Sequence, residues 1–288
     1  MTPGVAAGNG NAGGVRDLSK GAILQCVEAA TLGMPFEVWK TRMGRYRKES
    51  TIEAFQQIYK QGGVQAYWRG LAPKLVESAS KGAVLLYSKE CILSSMRRLG
   101  ASETLSGFAA GAGGGICQTA VMGPCTYVVT ALVTGGRDKT HGGRASDKIR
   151  EVWRTKGVKG FYSGGTAIAL RQATNWASRQ GFTEWVRTKM KGGDERAKLS
   201  KTQEVAAGIV GGTLSTWNQP FEVARIQMQA AANEGKQKHN ILQVFRTIVV
   251  QEGVQGLFKG VIPRIGLGIW QTLFMVTGAK LLKDSMNW

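Results

Sequence analysis

Charged and apolar positions in this chain segregate over lengths of whole helices. From Thr104 to Gly136 no side chain is charged, a run of 33 residues and longer than the roughly 20 a helix needs to cross a bilayer core. Val205–Phe221 and Ile265–Ala279 are shorter uncharged runs. Three further long apolar-rich segments carry internal charges: Glu28 in the first, Glu77 with Lys81 in the second, and Arg171 with Arg179 in the fourth. Shorter segments lie between them. In TIEAFQQIYKQGG (51–63), Ile52, Phe55, Ile58 and Tyr59 fall on one helical face. No stretch alternates with period two between hairpin turns, so strands are not expected. The pattern predicts an all-α chain of six long helices joined through short amphipathic ones.

The pattern repeats at about ninety-five residues. GMPFEVWKTRM (33–43) is similar to NQPFEVARIQM (218–228), and MGPCTYVVTAL (122–132) is a degraded copy between them. Pro35, Pro124 and Pro220 are 89 and 96 apart. Downstream of each proline come GGVQAYWRG (62–70), KGVKGFYSG (156–164) and EGVQGLFKG (252–260), whose Gly63, Gly157 and Gly253 are 94 and 96 apart. Two independent markers with nearly one period define repeated supersecondary units. The expected boundaries are a disordered tail at 1–19 and repeats at 20–100, 101–195 and 196–288. Each proline removes a backbone hydrogen bond from a segment that otherwise favours helix, so each marks a bend.

Composition narrows the class without settling it. Mean hydropathy is −0.14, and hydropathy alone leaves a soluble helical solenoid open. A membrane bundle with a polar interior accounts better for charges inside long helices, because such charges face inward. Glycine is abundant, 40 against 6 prolines, and GFAAGAGGG (107–115) suits close helix packing. The net charge of +19 calls for an anionic partner: nucleic acid, an anionic lipid surface or acidic metabolites. Cys26, Cys91, Cys117 and Cys125 have no paired spacing and read as buried free thiols. His141 and His239 sit in polar loops, so no metal site is expected. There is no phosphate loop, nucleophile elbow or metal-ligand cluster, hence no enzyme activity and no cofactor are expected. The first twenty residues have neither the apolar core of a signal peptide nor an arginine-rich transit pattern.

The tripled proline motif resembles that of the mitochondrial carrier family, where Pro-x-[Asp/Glu]-x-x-[Lys/Arg] is followed by an acid–Gly step and an aromatic–basic–Gly turn. KGAVLLYS (81–88), IALRQATNW (168–176), LSTWNQPFEV (214–223) and GVIPRIGLGIWQTLFMV (260–276) narrow the resemblance to a branch that exchanges citrate for 2-oxoglutarate and is also linked to mitochondrial DNA. The resemblance implies a monomeric, threefold pseudosymmetric bundle of six transmembrane helices with short matrix helices. It places that bundle in the inner membrane, among anionic lipid such as cardiolipin, with both termini toward the intermembrane space.

It also implies two gates. On the matrix side the acid of each odd helix pairs with the base of the next. Repeat 1 supplies Glu37 and Lys40, repeat 3 supplies Glu222 and Arg225, and repeat 2 has Thr126 and Val129 instead. Only Glu222–Lys40 can form, braced by Gln229; Glu37 and Arg225 are also counted with this gate, the alternative being that they are solvated helix charges. Partly hydrated ion pairs are modest in energy, which suits a latch. The even helices, indexed from Gly70, Gly164 and Gly260, carry Glu90, Glu184 and Lys280 at offset 20 and Leu93, Arg187 and Lys283 at offset 23. The resemblance makes these a cytoplasmic gate, with Glu90–Arg187 and Glu184–Lys283 as its pairs.

The expected substrate contacts are Arg171 and Gln172, the pair that suits a keto acid in this family, with Asn175 and Arg179 at spacing four on the same face. Glu77 and Lys81 are expected to neutralise one another on the second helix, and Arg264 to add a contact on the sixth, where Leu267 replaces a common arginine. A guanidinium holds a carboxylate through two parallel hydrogen bonds. The implied function is exchange of citrate for 2-oxoglutarate. Two readings remain beside it: another carboxylate or keto-acid specificity, and binding of mitochondrial DNA through TRMGRYRKES (41–50) and KQKH (236–239).

Overall fold

The computed structural model describes residues 11–134, 145–192, 199–236 and 240–285. Every regular element among them is helical. The first repeat holds α1 (Asn11–Glu28), α2 (Met34–Arg45), α3 (Thr51–Gly62) and α4 (Leu71–Arg98). The second holds α5 (Glu103–Cys117), α6 (Thr119–Thr134), α7 (Ala145–Gly160) and α8 (Gly165–Met190). The third holds α9 (Lys201–Leu214), α10 (Gln219–Asn233), α11 (Ile241–Glu252) and α12 (Val261–Ser285). Helix α1 begins inside the segment expected to be a disordered tail. Residues 1–10 and both histidines lie outside the described residues.

The odd spans are broken rather than merely bent. A wide turn at Ala29–Gly33 separates α1 from α2, and Thr31 there leaves helical geometry (φ −84°, ψ −117°). A tight turn at Ser215–Asn218 separates α9 from α10. Pro35 and Pro220 thereby fall in the first turns of α2 and α10, where a missing amide costs nothing. Pro124 stays inside α6, and α5 meets α6 at 43°. Among the described residues no single helix is long and apolar enough to cross a membrane by itself; the bent pair Ala109–Cys117 with Thr119–Thr134 meets that test jointly.

The long helices close into a ring. Helix α1 packs on α4, α4 on α5, α5 on α8, α8 on α9, α9 on α12, and α12 back on α1. No extensive packing joins α4, α8 and α12 to one another across the middle. At one end the ring is plugged by α2, α6 and α10, with α3, α7 and α11 around them. The buried apolar clusters sit there, each spanning two repeats: Met34, Val38 and Tyr67 with Val129 and Val133; Tyr127 and Phe161 with Ala232; Val223 and Ile248 with Ala167. Of the cysteines, only Cys125 is buried, while Cys91 and Cys117 are exposed, against the expectation of four buried thiols.

Three glycines hold the repeats in register. Gly70, Gly164 and Gly260 cap α4, α8 and α12 at φ of 85°, 77° and 82°, a region L side chains avoid. A Cβ on them would lie 3.3 Å from Val129 Cα, 3.4 Å from Arg225 O and 3.2 Å from Lys40 O, respectively. Each turn therefore rests on the backbone of the next repeat, at the place of the motif's basic residue. Gly260→Ala combines left-handed strain with that contact. It is expected to cost about 1–2 kcal/mol and to lower Tm by roughly 2–8 °C. Gly107→Ala, helical and with nothing within 4 Å, should leave Tm unchanged in the same thermal-shift assay.

Candidate functional site

The plugged end carries a buried knot of charge. Lys40 Nζ lies 2.8 Å from Glu222 Oε1 and 2.8 Å from Glu37 Oε2. Arg225 donates from Nε (2.9 Å) and Nη2 (2.8 Å) to the two oxygens of Glu222, and its Nη2 is 3.9 Å from Glu37 Oε1. All four side chains are buried, Glu222 at 1% and Arg225 at 2% exposed. The Lys40–Glu222 pair forms across the α2–α10 seam as the motif implies. Glu37 and Arg225 are not solvated; the knot absorbs both. This burial also overturns the modest latch energy argued from exposed pairs. Breaking a buried pair strands a charge that water no longer reaches, at about 3–5 kcal/mol.

The second repeat completes the knot with hydroxyls. Gln229 does not brace Lys40–Glu222. Its Oε1 accepts from Arg225 Nη1 (2.8 Å) and from the Thr130 hydroxyl (2.8 Å), and its Nε2 donates to Thr126 Oγ1 (3.1 Å). Thr126 stands where the motif has an acid, so a neutral hydrogen-bond chain replaces an ion pair on the α6–α10 seam. Val129, in place of the base, packs with Met34 and Val38. The three seams are thus ionic, hydrogen-bonded and apolar.

Several expected contacts lie against or near this floor. Arg171 Nε lies 3.2 Å from Glu222 Oε2. Arg264 donates to Gln219 Oε1 at 2.9 Å and to Asn218 Oδ1, tying α12 to the residues before Pro220. Asn175 and Arg179 are half-buried, with no hydrogen-bond or ion-pair partner among the described residues. Glu77 pairs with Lys74 at 3.1 Å, not with Lys81, and Lys74 also lies 3.9 Å from Glu37. Among the described residues no carboxylate is within 4 Å of the Lys81 ammonium. Gln172 is not a cavity contact. It is buried, and its Nε2 donates to Gln118 Oε1 at 2.8 Å, while Gln118 Nε2 donates to the Lys81 carbonyl at 2.9 Å. This amide chain staples α8 and α4 to the α5–α6 break.

At the opposite end no latch between helices is present among the described residues. Glu90 is exposed, and Arg187 pairs within its own helix with Glu184 at 2.6 Å. Neither Glu90–Arg187 nor any partner of Glu184 on another helix is present among the described residues. The Lys283 side chain lies outside them. On the outer rim of the plugged end, Arg45 pairs with Glu234, and Arg47 donates to both oxygens of Glu252 at 2.5 and 3.0 Å.

Sequence reasoning missed Lys74, although a signal for it existed. Lys74 and Arg264 stand at the same offset of four from Gly70 and Gly260, in the matching strings APK and IPR. With Lys74 included, seven cations (Lys40, Lys74, Lys81, Arg171, Arg179, Arg225 and Arg264) gather about Glu37, Glu77, Glu222 and, at the end of α1, Glu28. The excess is positive, and charges at this depth of a helix bundle persist where they are paired or used.

Six long helices from three equivalent units thus form a ring around a cationic centre closed at one end. The chain belongs to the mitochondrial carrier protein family, whose model matches it three times, over residues 12–99, 100–194 and 198–287. Among its relatives, the citrate/oxoglutarate carrier protein of Saccharomyces cerevisiae is 36% identical over 275 residues, covering 92% of this chain and 88% of the relative. The mitochondrial tricarboxylate transport protein of Rattus norvegicus is 28% identical over 220 residues, covering 74% and 70%. Mitochondrial substrate carrier family protein Z of Dictyostelium discoideum is 29% identical over 250 residues, covering 80% and 79%.

Proposed function

We propose that this chain is an antiporter of the mitochondrial inner membrane that exchanges citrate for 2-oxoglutarate by alternating access. The observation that carries the reading is the unmatched positive charge over the floor. Among the described residues no carboxylate lies within 4 Å of the Lys81 or Arg179 head group, and Arg171 shares Glu222 with Lys40 and Arg225. A polycarboxylate supplies the missing anions, and the likeness to a citrate/oxoglutarate carrier protein supports that ligand class.

The contacts suggest how occupancy reaches the gate. Substrate enters from the unlatched end, and its carboxylates take Arg179, Lys81 and the fork of Arg171. Drawing Arg171 off Glu222 removes one of three cations that hold the floor. The floor can then part while the ends of α4, α8 and α12 converge, so access alternates around a fixed site. Exposed apolar side chains on the ring, among them Val76, Tyr87, Leu170, Trp185 and Leu273, suit contact with lipid. A groove of about 1460 Å³ beside α10 and α11, lined in part by Lys48 and Lys259, suits an anionic headgroup. The DNA reading loses ground here, because Arg45 and Arg47 are already occupied by Glu234 and Glu252.

Purified protein in proteoliposomes preloaded with 2-oxoglutarate is expected to accumulate labelled citrate, and empty liposomes are not. Equal uptake with and without internal 2-oxoglutarate would rule out obligatory exchange. Counter-exchange with only a different internal acid would reassign the substrate pair.

A further inference from the structure

Helices α4 and α8, which carry Lys81 and Arg171, do not pack extensively on one another; α5 lies between them and packs on both. Two neighbouring glycines allow this. A Cβ on Gly114 would stand 3.3 Å from the Leu85 carbonyl of α4, and one on Gly115 would stand 2.8 Å from Trp176 Cδ1 and 3.4 Å from the Gln172 carbonyl of α8. Gln118 follows at the 43° break between α5 and α6, and it is 3% exposed. At the same distance before Pro35 and Pro220 stand Ala29 and Leu214, so only the second repeat carries an amide there.

The Gln118 amide is occupied at both ends, one on each neighbour. Its Oε1 accepts from Gln172 Nε2 at 2.8 Å and from Trp176 Nε1 at 3.3 Å on α8, and its Nε2 donates to the Lys81 carbonyl at 2.9 Å on α4. The Arg171 carbonyl is held in the same way, by Asn218 Nδ2 at 3.2 Å from the break before α10. A carbonyl within a helix already accepts one backbone bond, so a second donor fixes where that turn of helix sits. Buried hydrogen bonds behind ligand-contacting groups hold those groups in productive geometry.

We propose that Gln118 is a positioning residue that sets the spacing of Lys81 from Arg171, and through it the preference for a tricarboxylate over a dicarboxylate. The inference rests on the citrate/2-oxoglutarate reading above and deepens it. A tricarboxylate that takes Arg171, Arg179 and Lys81 spans α4 and α8 at once, so it feels the gap between them. A dicarboxylate finds two cations on α8 alone, Arg171 and Arg179, so a change in that gap costs it little. Preference is the difference between the two affinities, and a misplacement of about 1 Å can cost on the order of 100-fold where alignment matters. Gln118 touches neither acid in this scheme; it acts through the Lys81 backbone and the side chains of α8.

The test measures homo-exchange in proteoliposomes, labelled citrate against internal citrate and labelled 2-oxoglutarate against internal 2-oxoglutarate, together with the Tm of each variant. Gln118→Met keeps the volume and removes the amide. It is expected to raise the citrate KM about tenfold and the 2-oxoglutarate KM at most about twofold, with saturating rates within about threefold of native. It also strands the N–H groups of Gln172 and Trp176, so its Tm falls. Gln118→Met combined with Gln172→Met removes both partners of that bond, and is expected to recover most of the Tm while the citrate KM stays raised. Equal changes in the two KM values of Gln118→Met, or none, overturn the proposal, as does a double variant whose KM ratio returns to native along with its Tm. If the single variant does not fold, the double variant decides: a raised ratio of citrate KM to 2-oxoglutarate KM supports the positioning role, and a native ratio overturns it. Exchange of neither acid by the native protein overturns the substrate reading and this inference with it, whereas native exchange of both with an unaltered ratio in the variants overturns the inference alone.

Discussion

Arg171→Ala is expected to lower citrate/2-oxoglutarate exchange at least roughly 30-fold while leaving the folded ring in place. In the proposed cycle Arg171 belongs to both working parts, as a substrate contact and through its Nε, which lies 3.2 Å from Glu222 Oε2. Truncation removes a charge-assisted carboxylate contact and the link by which occupancy would loosen the floor. Losing one partner of a desolvated charge contact costs about 2–5 kcal/mol, and each 1.4 kcal/mol is tenfold. Arg171→Lys keeps the charge and loses the planar fork, so it should recover only part of the rate. Labelled uptake gives the rate, and the thermal shift induced by citrate gives the binding; both should fall together. Full exchange by Arg171→Ala would remove this residue from the site.

The second large effect concerns stability. Glu222→Gln should cost about 3–5 kcal/mol, because Lys40 and Arg225 lose a shared buried counter-charge. Tm is expected to fall by roughly 6–20 °C. The repeat supplies its own control. Glu222→Thr with Arg225→Val gives the third repeat the chemistry that Thr126 and Val129 already have in the second, and Lys40 keeps Glu37 at 2.8 Å. That double variant should recover more than half of the lost Tm, since neighbours in one network are not additive. A double variant as unstable as the sum of its parts would show that the knot is not a single electrostatic unit.

These two tests also mark what the sequence could and could not reveal. Prolines and turn glycines are legible because they constrain the backbone locally, and their spacing carries the three repeats, while the ring and the Lys40–Glu222 seam follow from the resemblance to the carrier family. Side-chain partners were less legible, because a helical residue has several neighbours within reach. Glu77 takes Lys74 at three residues rather than Lys81 at four. Gln172 adjoins Arg171 in sequence but turns to Gln118 in the next span. Gln229 was assigned to the ionic seam, yet the missing acid at Thr126 leaves unfilled hydrogen-bonding capacity on the other seam, and the amide goes there.

The proposed exchange depends on a wet cationic cavity that is sealed at the α2–α6–α10 end. A single cysteine at Asn175, in a protein whose native cysteines are replaced, tests it most directly when probed with a membrane-impermeant thiosulfonate. The cysteine is expected to react from the side where α4 and α8 end, and citrate should slow that reaction while acetate does not. An unreactive cysteine, or one that reacts at the same rate with and without citrate, would contradict a substrate cavity at this place.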